Sequence, residues 1–181
     1  MALPKAFNPR GERVRIISSV KKRASNNFKL TKQESLRAGL HLALWLYVAE
    51  REDEALEVCK TVGRSKFTGN FNLWSWVERA LVLQSRILRN RGSLFEAHIQ
   101  LKRVKDAGFV PTRLEGSLFS HDEIQNALAG GNAKAERDWR LGHLSEVVFV
   151  RELGGSPSCP PEALERDIAE TVARLRILAK L

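Results

Sequence analysis

Apolar residues recur at three- and four-residue spacing along most of this chain, which is the period of helices that bury one face. Thr31-Lys32-Gln33-Glu34 has the form of a capping box, with a Thr hydroxyl for the free amide three residues on and a Glu to reach back. The helix it opens carries Leu36, Leu40, Leu44, Tyr47 and Val48 on one face, and Leu42, Trp45, Leu46 and Ala49 on a second. A helix apolar on two sides is covered on two sides, so this one is expected to be central. Glu50 to Asp53 read as a turn, followed by a shorter helix through Ala55, Val58, Cys59 and Val62. A polar connector from Gly63 to Asn72 leads to a helix over roughly Leu73 to Asn90. Its inward positions are Leu73, Trp76, Val77, Ala80, Leu83 and Ile87, with Trp74, Leu81 and Leu88 on another side. Gly92-Ser93 turns the chain, and Leu94, Ala97, Leu101 and Val104 form the next apolar stripe.

The remainder is less regular. Ser120-His121-Asp122-Glu123 is a second capping box, opening a short helix through Ile124, Ala127 and Leu128 that stops at Gly130-Gly131. Residues 133–153 read as a long helix, although Val147 to Val150 is rich enough in β-branched residues to raise a strand instead. Pro160-Pro161 precede a last amphipathic helix bearing Leu164, Ile168, Val172, Leu175 and Leu178, with Glu162–Arg166 and Glu170–Arg174 as helical ion pairs. Upstream, residues 1–12 are rich in Pro, Gly and Asn and read as extended. Val14, Ile16, Ile17 and Val20 give one short amphipathic helix ending near Ala24. The expected fold is all-α with about seven helices: a basic N-terminal arm, residues 1–30, and a single helical domain, residues 31–181.

Two helical hairpins therefore follow one another. Glu54-Ala55-Leu56 aligns with Glu96-Ala97-His98 at a spacing of 42 residues, near the period of helical solenoids. In the second hairpin Gly92 breaks the first helix, Ala97 lets the second pack closely, Gly108 closes it, and Pro111 cannot continue it. Over about residues 32–115 this arrangement resembles tetratricopeptide (TPR) and pentatricopeptide repeats, with Glu50 standing where a turn Gly is usual. The resemblance implies a short solenoid of TPR-like hairpins with the last helix as its cap. It also implies binding to other proteins, as an adaptor, chaperone or toxin-neutralising immunity protein.

Charge adds a second candidate. Residues 1–30 carry eight cations against Glu12 alone, a net +7 out of +9 for the whole chain. Such a segment attracts nucleic acid, an anionic membrane or an acidic protein surface. Arg13, Arg15, Lys21, Lys22 and Arg23 are the residues an RNA would meet, although only Phe7 and Phe28 offer aromatic stacking there. On the helical body, Trp74, Arg137, Trp139 and Arg140 combine the two residue types over-represented at protein-binding hot spots. The favoured partner is another protein with an acidic surface, with RNA as the alternative.

Catalytic chemistry finds no local support. The sequence contains no phosphate-cradling Gly-rich loop, serine-hydrolase elbow or His-Glu-x-x-His pair, so neither cofactor nor metal is expected. The four histidines are scattered, and His41 beside its core stripe reads as structural. The two cysteines, Cys59 and Cys159, suit a reducing cytoplasmic setting. The Arg-rich, acid-poor start keeps a mitochondrial location as the alternative. No run approaches the roughly 18 apolar residues a membrane span needs, so no membrane partner is expected.

Overall fold

In the computed structural model, which describes residues 31–107 and 129–180, every named element is helical. There are six helices within those residues: α1 (Lys32–Val48), α2 (Glu52–Gly63), α3 (Phe71–Asn90), α4 (Leu94–Asp106), α5 (Ala133–Glu152) and α6 (Pro161–Leu178). The expected short helices near 14–24 and 120–128 lie outside the described residues, as do Gly108 and Pro111. Val147 to Val150 are helical, which removes the strand alternative.

The caps set where the helices begin. The Glu34 amide donates to Thr31 Oγ1 at 3.2 Å, and the Thr31 amide donates to Glu34 Oε2 at 3.0 Å, completing the expected capping box of α1. The Asn70 side chain accepts from the amides of Asn72 and Leu73, which starts α3 two residues earlier than the apolar pattern alone suggests. Asn132 does the same for α5.

Three-residue turns join α1 to α2 and α3 to α4. Gly92 takes φ +81°, the conformation its turn requires. In the first turn Glu50 takes φ +60°, so a side-chain-bearing residue does there what glycine does in the second. Close approaches knit the first three helices. A Cβ on Gly39 of α1 would lie 2.5 Å from Val62 Cγ2 of α2, and one on Gly63 would lie 2.8 Å from Leu81 Cδ2 of α3.

Helix α3 is the hub, packing against α1, α2, α4 and α5. Residues Leu81 to Ile87 are all buried, so the middle of α3 has no solvent face. Helix α1 also meets four others, α2, α3, α5 and α6. Its second face is only partly covered, leaving Leu42 and Trp45 half-buried. Ala97 is buried against α3, where Ser85 Oγ donates to its carbonyl at 3.0 Å. Leu94 departs from expectation. At the first position of α4 it lies outside the contact with α3 and is exposed, together with Phe95 and Ile99.

The hairpin of α5 and α6 returns across the α1 and α3 side. Arg86 of α3 joins it through a buried ion network, donating to Glu152 at 3.0 Å, to Glu165 at 2.7 Å and to the Tyr47 hydroxyl at 2.9 Å. Arg174, expected to pair with Glu170 along α6, instead reaches across to Glu136 of α5 at 2.7 Å. At the far end of α6, Arg176 Nε donates to the Val48 carbonyl at 2.7 Å, across 128 residues of sequence.

Candidate functional site

Helices α1, α3 and α5 do not close on one another completely. Between them lies a cleft of about 500 Å³ floored by Leu40, Leu44 and Leu141. Each wall contributes polar side chains because a polar residue sits beside an otherwise apolar stripe. On α1, Arg37 and His41 are one turn apart and follow Leu36 and Leu40. On α3, Trp76 and Arg79 lie three apart, and on α5 Asp138, Ser145 and Glu146 face them.

Trp76 organises the mouth. Its ring meets His41 edge-on at 6.4 Å between centroids, and the Arg37 guanidinium lies 5.9 Å from the indole centroid. Arg79 Nε donates to Glu146 Oε1 at 2.7 Å, while its guanidinium also stacks 5.3 Å from the Phe149 ring centre. Burial, with help from the nearby Arg37 charge, pulls the His41 pKa below its ordinary value against the opposing pull of Asp138.

Several polar atoms in and behind this wall have no hydrogen-bond partner among the described residues. They are Trp76 Nε1, Ser145 Oγ, Glu146 Oε2 and, one layer deeper, Glu78 Oε2. Ser145 is only 8% exposed and Glu78 only 2%. Desolvation pushes the Glu78 carboxyl up to about 7, Arg79 opposing and Glu146 reinforcing the shift. A buried polar atom without a partner costs roughly 1–3 kcal/mol. Several such atoms around one opening make a site with unused hydrogen-bonding capacity.

Ser145, His41 and Asp138 line the same cleft, yet Ser145 Oγ has no hydrogen-bond partner among the described residues. The hydroxyl-to-imidazole contact that would activate a serine is therefore not assembled in this arrangement. Among the described residues no group of three or more metal-ligating side chains gathers, and no helix is long and apolar enough to cross a membrane. His143 is tied to Asp167 at 2.9 Å. Cys59 is fully buried, its thiol pushed up to about 12 by desolvation, so it is a packing residue without thiolate character.

The residues singled out in the sequence fall in several places. Trp74 is 4% exposed and packs beneath Phe67, ring centres 5.5 Å apart, so it offers no surface to a partner. Trp76 is the member of that pair nearer solvent. Arg137 and Trp139 are half-buried on α5 next to Asp138 of the cleft. Arg140 donates to Glu136 at 2.7 Å and is held within an intramolecular network with Arg174. Arg13, Arg15, Lys21, Lys22 and Arg23 lie outside the described residues. The cleft residues Arg37, His41, Ser145 and Glu146 were not singled out beforehand as a site. Their signal was polar side chains placed next to core positions, and nothing local showed that three helices would bring them together.

A second concavity of about 600 Å³ runs between α1 and α2. It is apolar along its floor and carries Asp53, Glu54 and Glu57 on the α2 side.

No curated protein and no solved structure matches this chain. Residues 6–177 match the model of DUF6707, a family of unknown function, and the chain belongs to that family.

Proposed function

We propose that this protein is a non-enzymatic interaction module that holds a polar segment of another protein in the cleft between α1, α3 and α5. The observation that carries this reading is the set of unpartnered buried polar atoms around that cleft, Ser145 Oγ and Trp76 Nε1 foremost. Both donate hydrogen bonds, so an incoming backbone carbonyl or carboxylate recovers what their burial costs. Trp76 and Arg37 at the mouth are of the residue types that dominate protein-binding energetics.

We further infer that the hairpins of α1–α2 and α3–α4 are TPR-like, which agrees with the same reading. Helix α3 packs on both helices of the preceding hairpin, the neighbour pattern by which repeat hairpins stack into a solenoid. In that frame α1 and α3 line one side of a two-hairpin stack, and the α5–α6 hairpin lies across that side as its cover. On that reading the cleft would be the part of the stack's inner surface that α5 leaves open. Fold analogy of this kind raises the prior for protein binding and does not name the partner.

RNA binding is the second reading, favoured by the eight cations of residues 1–30. One experiment separates the two. The tagged protein is recovered from its native lysate with and without nuclease, alongside Arg37→Glu and Ser145→Val variants. A stoichiometric protein that survives nuclease and is lost from both variants supports the cleft. Capture that disappears with nuclease, or that both variants retain, overturns the cleft reading.

A further inference from the structure

Resting on the cleft reading above, we propose that the segment held between α1, α3 and α5 presents an asparagine or glutamine side chain, and that the cleft recognises its carboxamide. Among the described residues, Trp76 Nε1, Ser145 Oγ and Glu146 Oε2 are buried without a hydrogen-bond partner, and all three residues line this cleft. Glu146 is held by its other oxygen, Oε1, which accepts from Arg79 Nε at 2.7 Å and leaves Oε2 unspent. The indole N–H only donates, the carboxylate oxygen accepts, and the Ser145 hydroxyl does either. A group that satisfies this set must therefore accept and donate at once.

A carboxamide does both. Its oxygen has two lone pairs for the indole and the hydroxyl, and its NH2 donates to Glu146. Other side chains leave a member of the set unpaired. A carboxylate has no N–H for Glu146 and brings a second negative charge against it. An ammonium or guanidinium has no acceptor for the Trp76 N–H, and an alkyl group pairs with none of the three. Each mismatch keeps a buried polar atom unsatisfied, which is why polar sites reject near-isosteres more sharply than apolar pockets do.

Charge and shape agree with a neutral polar tip. The lining carries Arg37 and Arg79 against Asp138 and Glu146, so its formal charges cancel. His41 adds none at neutral pH, because burial and the Arg37 charge hold its pKa below the ordinary value. The Trp76 ring already meets the Arg37 guanidinium, 5.9 Å from its centroid, and His41 edge-on, so it makes no bare aromatic cage for a cation. Leucines 40, 44 and 141 close the floor, so a side chain enters tip first while the main chain stays outside. At the tip of Asn or Gln the oxygen and the NH2 leave the same carbon. In a trans main-chain amide the C=O and N–H point to opposite sides.

Selection of random short peptides on the immobilised full-length protein tests this, with the enriched peptides then synthesised and titrated by fluorescence anisotropy. Enriched peptides should share an Asn or Gln at one position. Exchanging that residue for Asp or Glu should weaken binding at least about tenfold, and Ser145→Val should do the same. In Glu146→Gln the amide oxygen keeps the bond from Arg79, and an NH2 replaces the unspent oxygen. The preference of that variant should turn to the Asp or Glu form of the same peptide. A shared acidic, basic or apolar residue, with binding lost in Ser145→Val, overturns the carboxamide and leaves the cleft reading standing. So does a preference that Glu146→Gln leaves unchanged. A failure to enrich any peptide, or peptides that Ser145→Val binds as well as the parent does, overturns the carboxamide and the cleft reading together.

Discussion

Glu78→Gln should change how stability depends on pH. Glu78 sits 2% exposed in the middle of α3, with one carboxylate oxygen 3.3 Å from Arg79 and the other unpartnered. Its pKa in the fold is about 7, against an ordinary 4.5, chiefly because burial penalises the charge. A carboxyl whose pKa is raised on folding binds its proton more tightly in the native state. Its contribution is therefore fully present at acid pH and is lost as pH rises from about 4.5 through 7. With one pKa unit worth about 1.4 kcal/mol, ionising Glu78 removes roughly 2 kcal/mol of stability between pH 5.5 and pH 8. Glutamine keeps the shape, still accepts from Arg79 and does not ionise in this range. The assay is urea unfolding of parent and variant at pH 5.5, 7 and 8, followed by tryptophan fluorescence. The parent should lose roughly 2 kcal/mol relative to the variant across that range, or about 4–8 °C in melting temperature for a chain of this size. Every other group that titrates does so in both proteins and cancels in the difference. A stability difference that stays constant from pH 5.5 to 8 would refute the reasoning, since it would mean that Glu78 keeps one charge state throughout.

Three further outcomes follow from geometry already described. Glu50→Gly should stabilise the protein by about 1 kcal/mol, because positive φ is strained for Glu and free for Gly. Glu50→Ala should not stabilise it, and equal melting temperatures for the two variants would assign the site to its exposed Arg176 pair instead. Gly39→Ala should destabilise by about 1–2 kcal/mol despite alanine's better helix propensity, since its methyl group would meet Val62 and force α1 from α2; a higher melting temperature would sink this. Arg86→Leu should cost about 3 kcal/mol in urea unfolding, because Glu152 stays buried with only Arg89 to pair it; a loss under about 1 kcal/mol would show that Arg89 suffices.

What the sequence made legible was local. The Thr31–Glu34 cap, the positive-φ role of Gly92 and the close seat of Ala97 each depend on residues within one turn or one hairpin. The helical faces of α1 and α3 were readable for the same reason, since apolar spacing acts over a single element. What could not be read was the partner of each polar side chain. Arg174 has Glu170 one turn away yet meets Glu136 on another helix, because a partly buried bidentate contact outweighs a solvated helical pair. Trp74 and Trp76 are equally apolar in sequence, and their neighbours decide which is covered, Phe67 and the core for Trp74 and the cleft for Trp76. The cleft needs Arg37, Trp76 and Ser145 from three helices, so its existence is a property of packing and of no single motif.

The bond from Arg176 to the Val48 carbonyl has a consequence for the order in which the molecule can be completed. It closes the end of α1 with a residue made 128 positions later. At synthesis rates of about 5–20 residues per second, α1 waits on the order of ten seconds for that partner. Its C-terminal carbonyl remains uncovered through that interval, and the α5-facing side of Leu40 and Leu44 until α5 has been made. The α1–α2 hairpin is thus finished last, and shortening the chain beyond α5 should first be felt where α1 ends.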